Sequence, residues 1–243
     1  MSAPGGLRAP VHAVTFDLDF TLWDLTGVIL AAEERADRWL HEHYPCLDAT
    51  VTPDSLRAVR LAIAERSPEL AHDVSALRKA AFREVGMAMG YDGDALETLV
   101  AGAFSEFMAA RHEVVLYPDA LALLEALHGR LPIGAITNGN ADISRMRLGR
   151  YFDFTVSAIE IGAAKPSHLV FDAACERAGV SPEEVVHIGD DPESDVAGAA
   201  DFGMQPVWLN RDGGGWPGEL PRRAHVEVDS LEAVGRLLEG LVD

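Results

Sequence analysis

Four short apolar runs limit what this chain can fold into. They lie at residues 11–16, 131–136, 185–188 and 207–209. Short, almost wholly apolar runs of this kind are typical of strands buried on both faces of a parallel sheet. Helical segments separate most of the runs. The alternation predicts an α/β core with a doubly wound, Rossmann-like parallel sheet.

Two of the intervening helices have recognisable ends. One is predicted over residues 118–127, with Pro118 in its first turn. A second is predicted over residues 167–178, where Ser167 serves as the N-cap and Gly179 ends the helix.

Residues 23–112 interrupt the alternation, because they contain no convincing strand and instead show about four amphipathic helices in succession. The second of these begins with Thr52 as an N-cap followed by proline. We therefore expect an N-terminal tail at 1–9, a catalytic core at 10–22 and 113–243, and an inserted all-helical domain at 23–112. The predicted apolar faces are Ile29, Ala32, Ala36, Trp39 and Leu40; Leu56, Val59 and Ile63; Val74, Leu77 and Ala81; and Leu96, Val100, Phe104, Phe107 and Met108.

The charge balance restricts the partners of the protein. Its 243 residues include 20 basic and 39 acidic side chains, which gives a formal net charge of −19. Such a charge repels nucleic acid and anionic membrane surfaces, so neither is expected as a partner. An anionic substrate would need local positive charge, and a bound metal ion would provide it.

The sequence contains no sign of membrane insertion or export. No apolar run approaches the roughly 18 residues of a spanning helix, and residues 1–10 lack the apolar stretch of a secretory signal. We expect a soluble, cytoplasmic monomer or homodimer. Cys46 and Cys175 lack CxxC spacing, so they are expected to be buried apolar residues rather than a disulfide or zinc site.

Two carboxylates follow the first predicted strand. Asp17 and Asp19 are two residues apart, so in an extended chain their side chains lie on the same side and can reach one substrate. A nucleophile and a general acid need that arrangement. By itself the pair is equally well explained as the acidic opening of a turn or helix.

Three further polar groups are candidates for the same site. Thr137 and Asn138 follow the second predicted strand, where a hydroxyl and backbone N–H groups could face phosphate oxygens. Lys165 precedes a predicted helix and could neutralise a bound phosphate. An acidic cluster that suits a hard cation follows the third strand. It comprises Asp190, Asp191 and Asp195. Taken singly, each group also has a simpler explanation. Thr137 and Asn138 could form an ordinary helix N-cap turn, Lys165 could be a solvated surface lysine, and the acidic cluster could be the start of a helix.

The order of these groups resembles the motifs of the haloacid dehalogenase (HAD) superfamily, and the resemblance covers nearly the whole chain. Asp17 and Asp19 match motif one, Thr137 motif two, Lys165 motif three, and Asp190 with Asp191 motif four. The helical insertion resembles the C1 cap of that superfamily, which closes over the active site and contacts the substrate.

The resemblance implies a Mg²⁺-dependent phosphatase that hydrolyses a small phosphate monoester through an aspartyl-phosphate intermediate. Asp17 would be the nucleophile, and Asp19 would protonate the leaving alkoxide and then activate water. Asp17, Asp190 and the backbone carbonyl of Asp19 would bind Mg²⁺. Asp191 and Asp195 would orient the metal ligands or waters. The residues that would hold the phosphoryl oxygens are Thr137, Asn138 and Lys165.

Further segments resemble a bacterial subgroup that acts on FMN and on the phosphorylated ribitylamino-uracil precursor of riboflavin. They are residues 43–45, 68–74, 136–140 and 203–205. Phe20 departs from that subgroup and from many relatives, which have Asp or Gly there. We expect this change to spare the chemistry and to alter the turn beside the cap.

Other functions compete with this one. A sugar-phosphate phosphatase, a nucleotide phosphatase or a phosphomutase of the same superfamily would share the motifs. A phospho-receiver would have its acid pair and its phosphorylated aspartate on separate strands, and an inactive binding module would have lost a carboxylate. The dehalogenases of the superfamily lack an aspartate at the position of Asp19, so a phosphate ester is favoured.

Two candidate groups in the helical insertion have simpler explanations. Arg78 and Lys79 could contact a substrate, but charged helical residues more often face solvent. The spacing of His41, His43 and Cys46 does not place all three on one helix face, so a metal cluster is not expected there.

Overall fold

The chain forms two compact units, one of residues Leu25–Val114 and one of Met1–Asp24 with Val115–Asp243. A computed structural model describes residues 6–8, 10–45, 47, 50–221, 223 and 225–242. Within the described residues, no helix has both the length and the apolar character needed to cross a membrane.

A six-stranded sheet forms the centre of the larger unit, and all of its strands are parallel. The order is β3-β2-β1-β4-β5-β6, so the chain winds outward from β1 in one direction and then in the other. The two directions meet between β1 and β4, and in open α/β sheets ligands bind outside the carboxyl ends of the strands at such a point. The predicted fold class is confirmed. The strands are Ala13–Phe16, Ile133–Thr137, Phe154–Ser157, Val185–Gly189, Gln205–Leu209 and Val226–Val228.

Two of these strands, β3 and β6, were not predicted. Both are edge strands, and their residues are mostly half-buried rather than fully buried. They therefore lack the continuous apolar run that marked the four central strands. Those four were found with ends shifted by one or two residues.

The helices of the larger unit follow their local signals. Helix α5 is Pro118–Leu127, and α7 is His168–Ala178 with the Ser167 side chain accepting a hydrogen bond from the Leu169 N–H. Gly179 ends α7 in a left-handed conformation at φ 71°, which glycine adopts without steric cost. Shorter helices are α6 at Ala158–Ile161, α8 at Gly198–Phe202 and α9 at Leu231–Leu238.

The smaller unit is built from four helices. They are α1 at Thr26–His43, α2 at Pro53–Arg66, α3 at Val74–Ala88 and α4 at Gly93–Arg111. Thr52 caps α2 as predicted, because its side chain accepts a hydrogen bond from the Ser55 N–H. The predicted apolar faces form the core of the unit, with one error: Val74, at the start of α3, is 37% exposed.

A buried carboxylate joins three of these helices. Glu33 of α1 is 4% exposed and accepts hydrogen bonds from Arg57 and Arg60 of α2, at 2.8 and 2.6 Å, and from Arg78 of α3 at 3.2 Å. The expectation that Arg78 faces solvent is wrong, because Glu33 draws it inward and its guanidinium lies 3.6 Å from the Phe107 ring centroid. The neighbouring Lys79 is exposed.

Three other predictions concern the two cysteines, two histidines of the helical unit and the N-terminal tail. Cys175 is a buried free thiol, whereas Cys46 lies outside the described residues. His41 and His43 each make a hydrogen bond to a backbone carbonyl, those of Val51 and Trp39. Of the predicted N-terminal tail, residues 1–5 and 9 lie outside the described residues, and the Arg8 N–H donates to Gln205.

Candidate active site

The polar motifs meet because they follow neighbouring parallel strands. Asp17 comes directly after β1, Thr137 is the last residue of β2, and Asp190 follows the last residue of β4. These three strands are adjacent in the order β2-β1-β4. Their carboxyl ends therefore bring side chains that are distant in sequence to one edge of the sheet.

At this edge, one buried lysine is shared by two buried carboxylates. The Lys165 ammonium group lies 2.6 Å from Oδ1 of Asp17 and 2.6 Å from Oδ1 of Asp195, and it also donates to the Ile136 carbonyl at 2.7 Å. The three residues are at most 8% exposed. Lys165 is thus buried between carboxylates and is not the solvated surface lysine that its local sequence would also allow.

The burial of these charges shifts their protonation equilibria. Burial raises the pKa of Asp17 well above its usual value, which Lys165 opposes and the charges of Asp195 and Asp190 reinforce. Burial would lower the pKa of Lys165, but Asp17 and Asp195 outweigh it and raise that pKa. For Asp195, burial is outweighed by Lys165 and His187, which hold its pKa below the usual range.

Asp190 adds a third carboxylate to the group. Burial, followed by repulsion from Asp195, raises the pKa of Asp190 to about 7. Oxygens of Asp17, Asp190 and Asp195 all lie within 4.8 Å of one another. Three carboxylate oxygens at this spacing suit a hard divalent cation, which would offset their negative charge. The residues present therefore fit a divalent cation.

The remaining acidic residues of motif four have distinct contacts. Asp195 pairs with Lys165 and His187 and accepts from the Asp191 N–H at 3.1 Å. Asp191 is exposed and caps the turn that follows, because its Oδ1 accepts from the N–H groups of Glu193 and Ser194 at 3.0 and 2.6 Å.

Leu18 is fully buried, and Asp19 on its far side is half-buried. The Trp23 indole N–H donates to Oδ1 of Asp19 at 2.7 Å. The sequence did not identify Trp23 as a site residue, although it lies one turn beyond Asp19.

The side-chain amide of Asn138 forms two hydrogen bonds with the backbone of Lys165. Its side chain donates to the Lys165 carbonyl at 3.0 Å and accepts from the Lys165 N–H at 2.7 Å. Thr137 is 2% exposed, and its hydroxyl accepts a hydrogen bond from the Gly139 N–H at 2.9 Å. The amide of Asn138 thus fixes the backbone that presents the lysine.

Sequence reasoning missed two polar residues inside the strands. Thr15 of β1 and His187 of β4 are opposite each other in register, and the Thr15 hydroxyl lies 2.9 Å from Nδ1 of His187. The other ring nitrogen of His187 lies 3.0 Å from Oδ1 of Asp195. Burial lowers the pKa of His187 although Asp195 opposes the shift. The available signal was a single polar residue in each strand, Thr15 within Ala13–Phe16 and His187 within Val185–Gly189.

Comparison with known proteins assigns the family. Residues 11–203 match the model of the haloacid dehalogenase-like hydrolases. The chain belongs to that family. The predicted superfamily is confirmed, and the predicted enzyme class, a phosphoric monoester hydrolase, agrees with the phosphatases among its relatives.

The relatives of this chain match it over different lengths. The 5-amino-6-(5-phospho-D-ribitylamino)uracil phosphatase YigB of Escherichia coli (strain K12) is 34% identical over 235 residues, which is 94% of this chain and 96% of that protein. The pyrimidine 5′-nucleotidase YjjG of the same strain is 42% identical over 100 residues, covering 38% of this chain and 44% of that protein. A solved structure described as a 2-haloacid dehalogenase from Pseudomonas syringae pv. Tomato DC3000 has a TM-score of 0.88 and 36% identity, and covers 94% of this chain and 98% of that one.

Proposed function

We propose that this hydrolase is a Mg²⁺-dependent phosphatase that acts on a small phosphate monoester and uses Asp17 as its nucleophile. The observation that carries the proposal is the position of Asp17. Its carboxylate lies 2.6 Å from the Lys165 ammonium group, with a carboxylate oxygen of Asp190 within 4.8 Å. The proposed nucleophile thus lies close both to a buried cation and to a carboxylate that we assign to the metal.

In the first proposed step, a carboxylate oxygen of Asp17 attacks phosphorus as the bond from phosphorus to the ester oxygen breaks. Asp19 gives its proton to the departing alkoxide. In the second step, Asp19 takes a proton from water, the water oxygen bonds to phosphorus, and the Asp17 carboxylate is released. Asp17 and Asp19 suit these roles because they follow β1 two residues apart, where alternation in an extended chain would turn both side chains to one side.

Positive charge is needed as the phosphoryl group is transferred. A Mg²⁺ ion held by Asp17, Asp190 and the backbone carbonyl of Asp19 would neutralise part of the phosphoryl charge. Lys165 supplies fixed charge, and its position is maintained by Asn138 and Asp195. We assign Thr137 to the phosphoryl oxygens on the basis of its place at the end of β2.

For the substrate, we propose FMN or the phosphorylated ribitylamino-uracil precursor of riboflavin. Support comes from the similarity to YigB over 94% of the chain and from the four segments that resemble its subgroup. We further propose that the helical unit Leu25–Val114 is the C1-type cap that supplies substrate contacts.

The test is phosphate release from FMN, from the ribitylamino-uracil phosphate and from a panel of sugar phosphates and nucleotides, with and without Mg²⁺. Release is expected from at least one of the first two substrates and should require Mg²⁺. The Asp17→Asn variant should lose at least about 10³-fold in kcat/KM. The matched control, Asp172→Asn, removes an exposed carboxylate of α7 and should retain activity.

The panel also distinguishes the related functions. Good turnover of a sugar phosphate with none of FMN or the precursor would refute the substrate assignment but keep the phosphatase. Full turnover by Asp17→Asn would refute the mechanism.

A dehalogenase is a second candidate, because the solved structure with a TM-score of 0.88 is described as a 2-haloacid dehalogenase. Dehalogenation has no alkoxide to protonate, whereas this chain places an acid, Asp19, beside the nucleophile. Chloride release from 2-chloropropionate, measured beside phosphate release, decides between them. Chloride release without phosphate release would favour the dehalogenase.

A further inference from the structure

Phe20 has a backbone conformation that suits glycine better than phenylalanine. Its φ is 61°, and among the described residues it is the only one other than glycine with a positive φ. In this region the Cβ atom of an L-residue crowds the backbone, so a bulky side chain is a genuine outlier. An outlier of this kind beside a reactive group is a reason to look for a function of the side chain.

The turn around Phe20 enforces this conformation. The Phe20 N–H donates to the Trp23 carbonyl at 2.8 Å, and the Leu22 N–H donates to the Leu18 carbonyl at 2.9 Å. Since these bonds use only the backbone, glycine would satisfy them equally well. The phenyl ring is therefore not required to form the turn.

The ring contributes little to the core, because Phe20 is 41% exposed. It lines a cleft of about 440 Å³ in the larger unit, whose wall also includes Asp190. Two other aromatic residues line the same cleft, Tyr117 and Trp208. Trp208 is 4% exposed and donates to the Asp190 carbonyl at 2.9 Å, while the Arg211 guanidinium covers Tyr117 at 4.0 Å. Of the three rings, Phe20 is the most exposed.

We propose that the Phe20 ring contacts the leaving group of the substrate, and that this leaving group is an alcohol carrying a planar ring. The inference rests on the proposed phosphatase function and assigns a residue to the recognition of its substrate. Phe20 directly follows Asp19, the group assigned to protonate the leaving oxygen, and it shares its cleft with Asp190, a proposed metal ligand. A ring carried by the leaving alcohol would meet the exposed phenyl surface, and paired aromatic rings attract one another beyond their buried area.

Binding of two phosphonates that cannot be hydrolysed tests this contact directly. The dissociation constants of benzylphosphonate, which has a planar ring, and of methylphosphonate, which has none, are measured in Mg²⁺ by calorimetry. The wild type should prefer benzylphosphonate. Phe20→Gly and Phe20→Ala should each reduce that preference by about three- to tenfold, which is the range expected for one aromatic pair. Phe20→Tyr should keep it.

Thermal melting separates the effect of losing the phenyl ring from the effect of relieving the strained turn. Phe20→Gly relieves the positive φ and should melt at or above the temperature of Phe20→Ala, which retains a Cβ atom. Leu121→Ala, which removes another exposed apolar side chain, on α5 of the larger unit, is the matched control and should leave the preference unchanged.

Each outcome has a clear meaning. An unchanged preference in Phe20→Gly and Phe20→Ala overturns the proposal, and so does an equal loss of affinity for both phosphonates, since that would show a role of the turn. If the wild type releases no phosphate from any ester, the proposed function fails, while the binding preference still decides whether Phe20 contacts a ring.

Discussion

The Lys165 ammonium group lies 2.6 Å from the Asp17 carboxylate, although 148 residues of sequence separate them. Both side chains are almost fully buried, so neither charge is compensated by water. Each residue therefore controls the protonation of the other: Asp17 helps to keep Lys165 charged, and Lys165 opposes the rise that burial causes in the pKa of Asp17.

Removing the lysine should destabilise the protein in a pH-dependent way. Lys165→Met leaves Asp17 and Asp195 buried without their cation, so the free energy of unfolding at pH 7 should fall by about 3–5 kcal/mol. The folded-state pKa of Asp195 is lowered, so its contribution to stability is present above the usual carboxyl pKa and is lost as the pH falls through the lowered value.

The deficit of Lys165→Met should be largest near neutral pH and shrink in acid, because buried carboxylates without their cation take up protons more readily and then lose their unpaired charge. Denaturant unfolding at pH 7 and at about pH 4 measures it. The control, Lys79→Met, removes an exposed lysine and should cost less than about 1 kcal/mol at either pH. A deficit that grows in acid would contradict the argument.

A single added methyl group should displace Asp195. A Cβ atom on Gly189 would lie 2.2 Å from Cγ of Asp195, so Gly189→Ala forces that carboxylate away from Lys165 and His187. We expect phosphate release to fall at least about tenfold and stability by about 1–3 kcal/mol. The control is Gly215→Ala, where an added Cβ meets nothing within 4 Å. Wild-type activity in Gly189→Ala would show that the position of Asp195 is unimportant.

Glu33 should be a major source of stability in the helical unit. Burial would raise its pKa, but the hydrogen bond from Arg57 and the charges of Arg60 and Arg78 outweigh burial and lower it. Glu33→Gln leaves three arginines facing one another, and we expect a loss of about 3 kcal/mol at pH 7. Because the folded-state pKa is lowered, this contribution is present above the usual carboxyl pKa and disappears as the pH falls through the lowered value.

An exposed ion pair provides the control for Glu33. Glu84 pairs with Arg66 at 2.6 Å, and both side chains are about half exposed. Glu84→Gln should cost less than about 1 kcal/mol, because water screens that pair. Equal losses in the two variants, measured by denaturant unfolding, would show that burial of Glu33 adds nothing.

Mg²⁺ affinity should rise with pH. Burial raises the pKa of Asp190 to about 7 and that of Asp17 well above its usual value, so protons compete with the metal for both groups. Below pH 7 the affinity should increase about tenfold per pH unit for each proton released. Calorimetry in two buffers with different ionisation enthalpies counts those protons. A constant affinity between pH 6 and 8 would contradict the prediction.

The sequence by itself determined the features that depend on neighbouring residues. Continuous apolar runs marked the four central strands, Ser167 and Gly179 marked the ends of α7, and the apolar periodicity of residues 23–112 marked the helical unit. It also predicted that Asp17 and Asp19 share one side of the chain, because alternation in an extended backbone is a local rule. The half-buried edge strands β3 and β6 were missed because they have no such run.

Only the tertiary structure decided which side chains meet. Lys165 and Arg78 each resemble a surface residue when read locally, yet both are buried, because carboxylates distant in sequence compensate their charge. His187 became part of the site through its register with Thr15 and its approach to Asp195. Such pairings depend on strand order and burial, and these are properties of the whole fold rather than of any short segment.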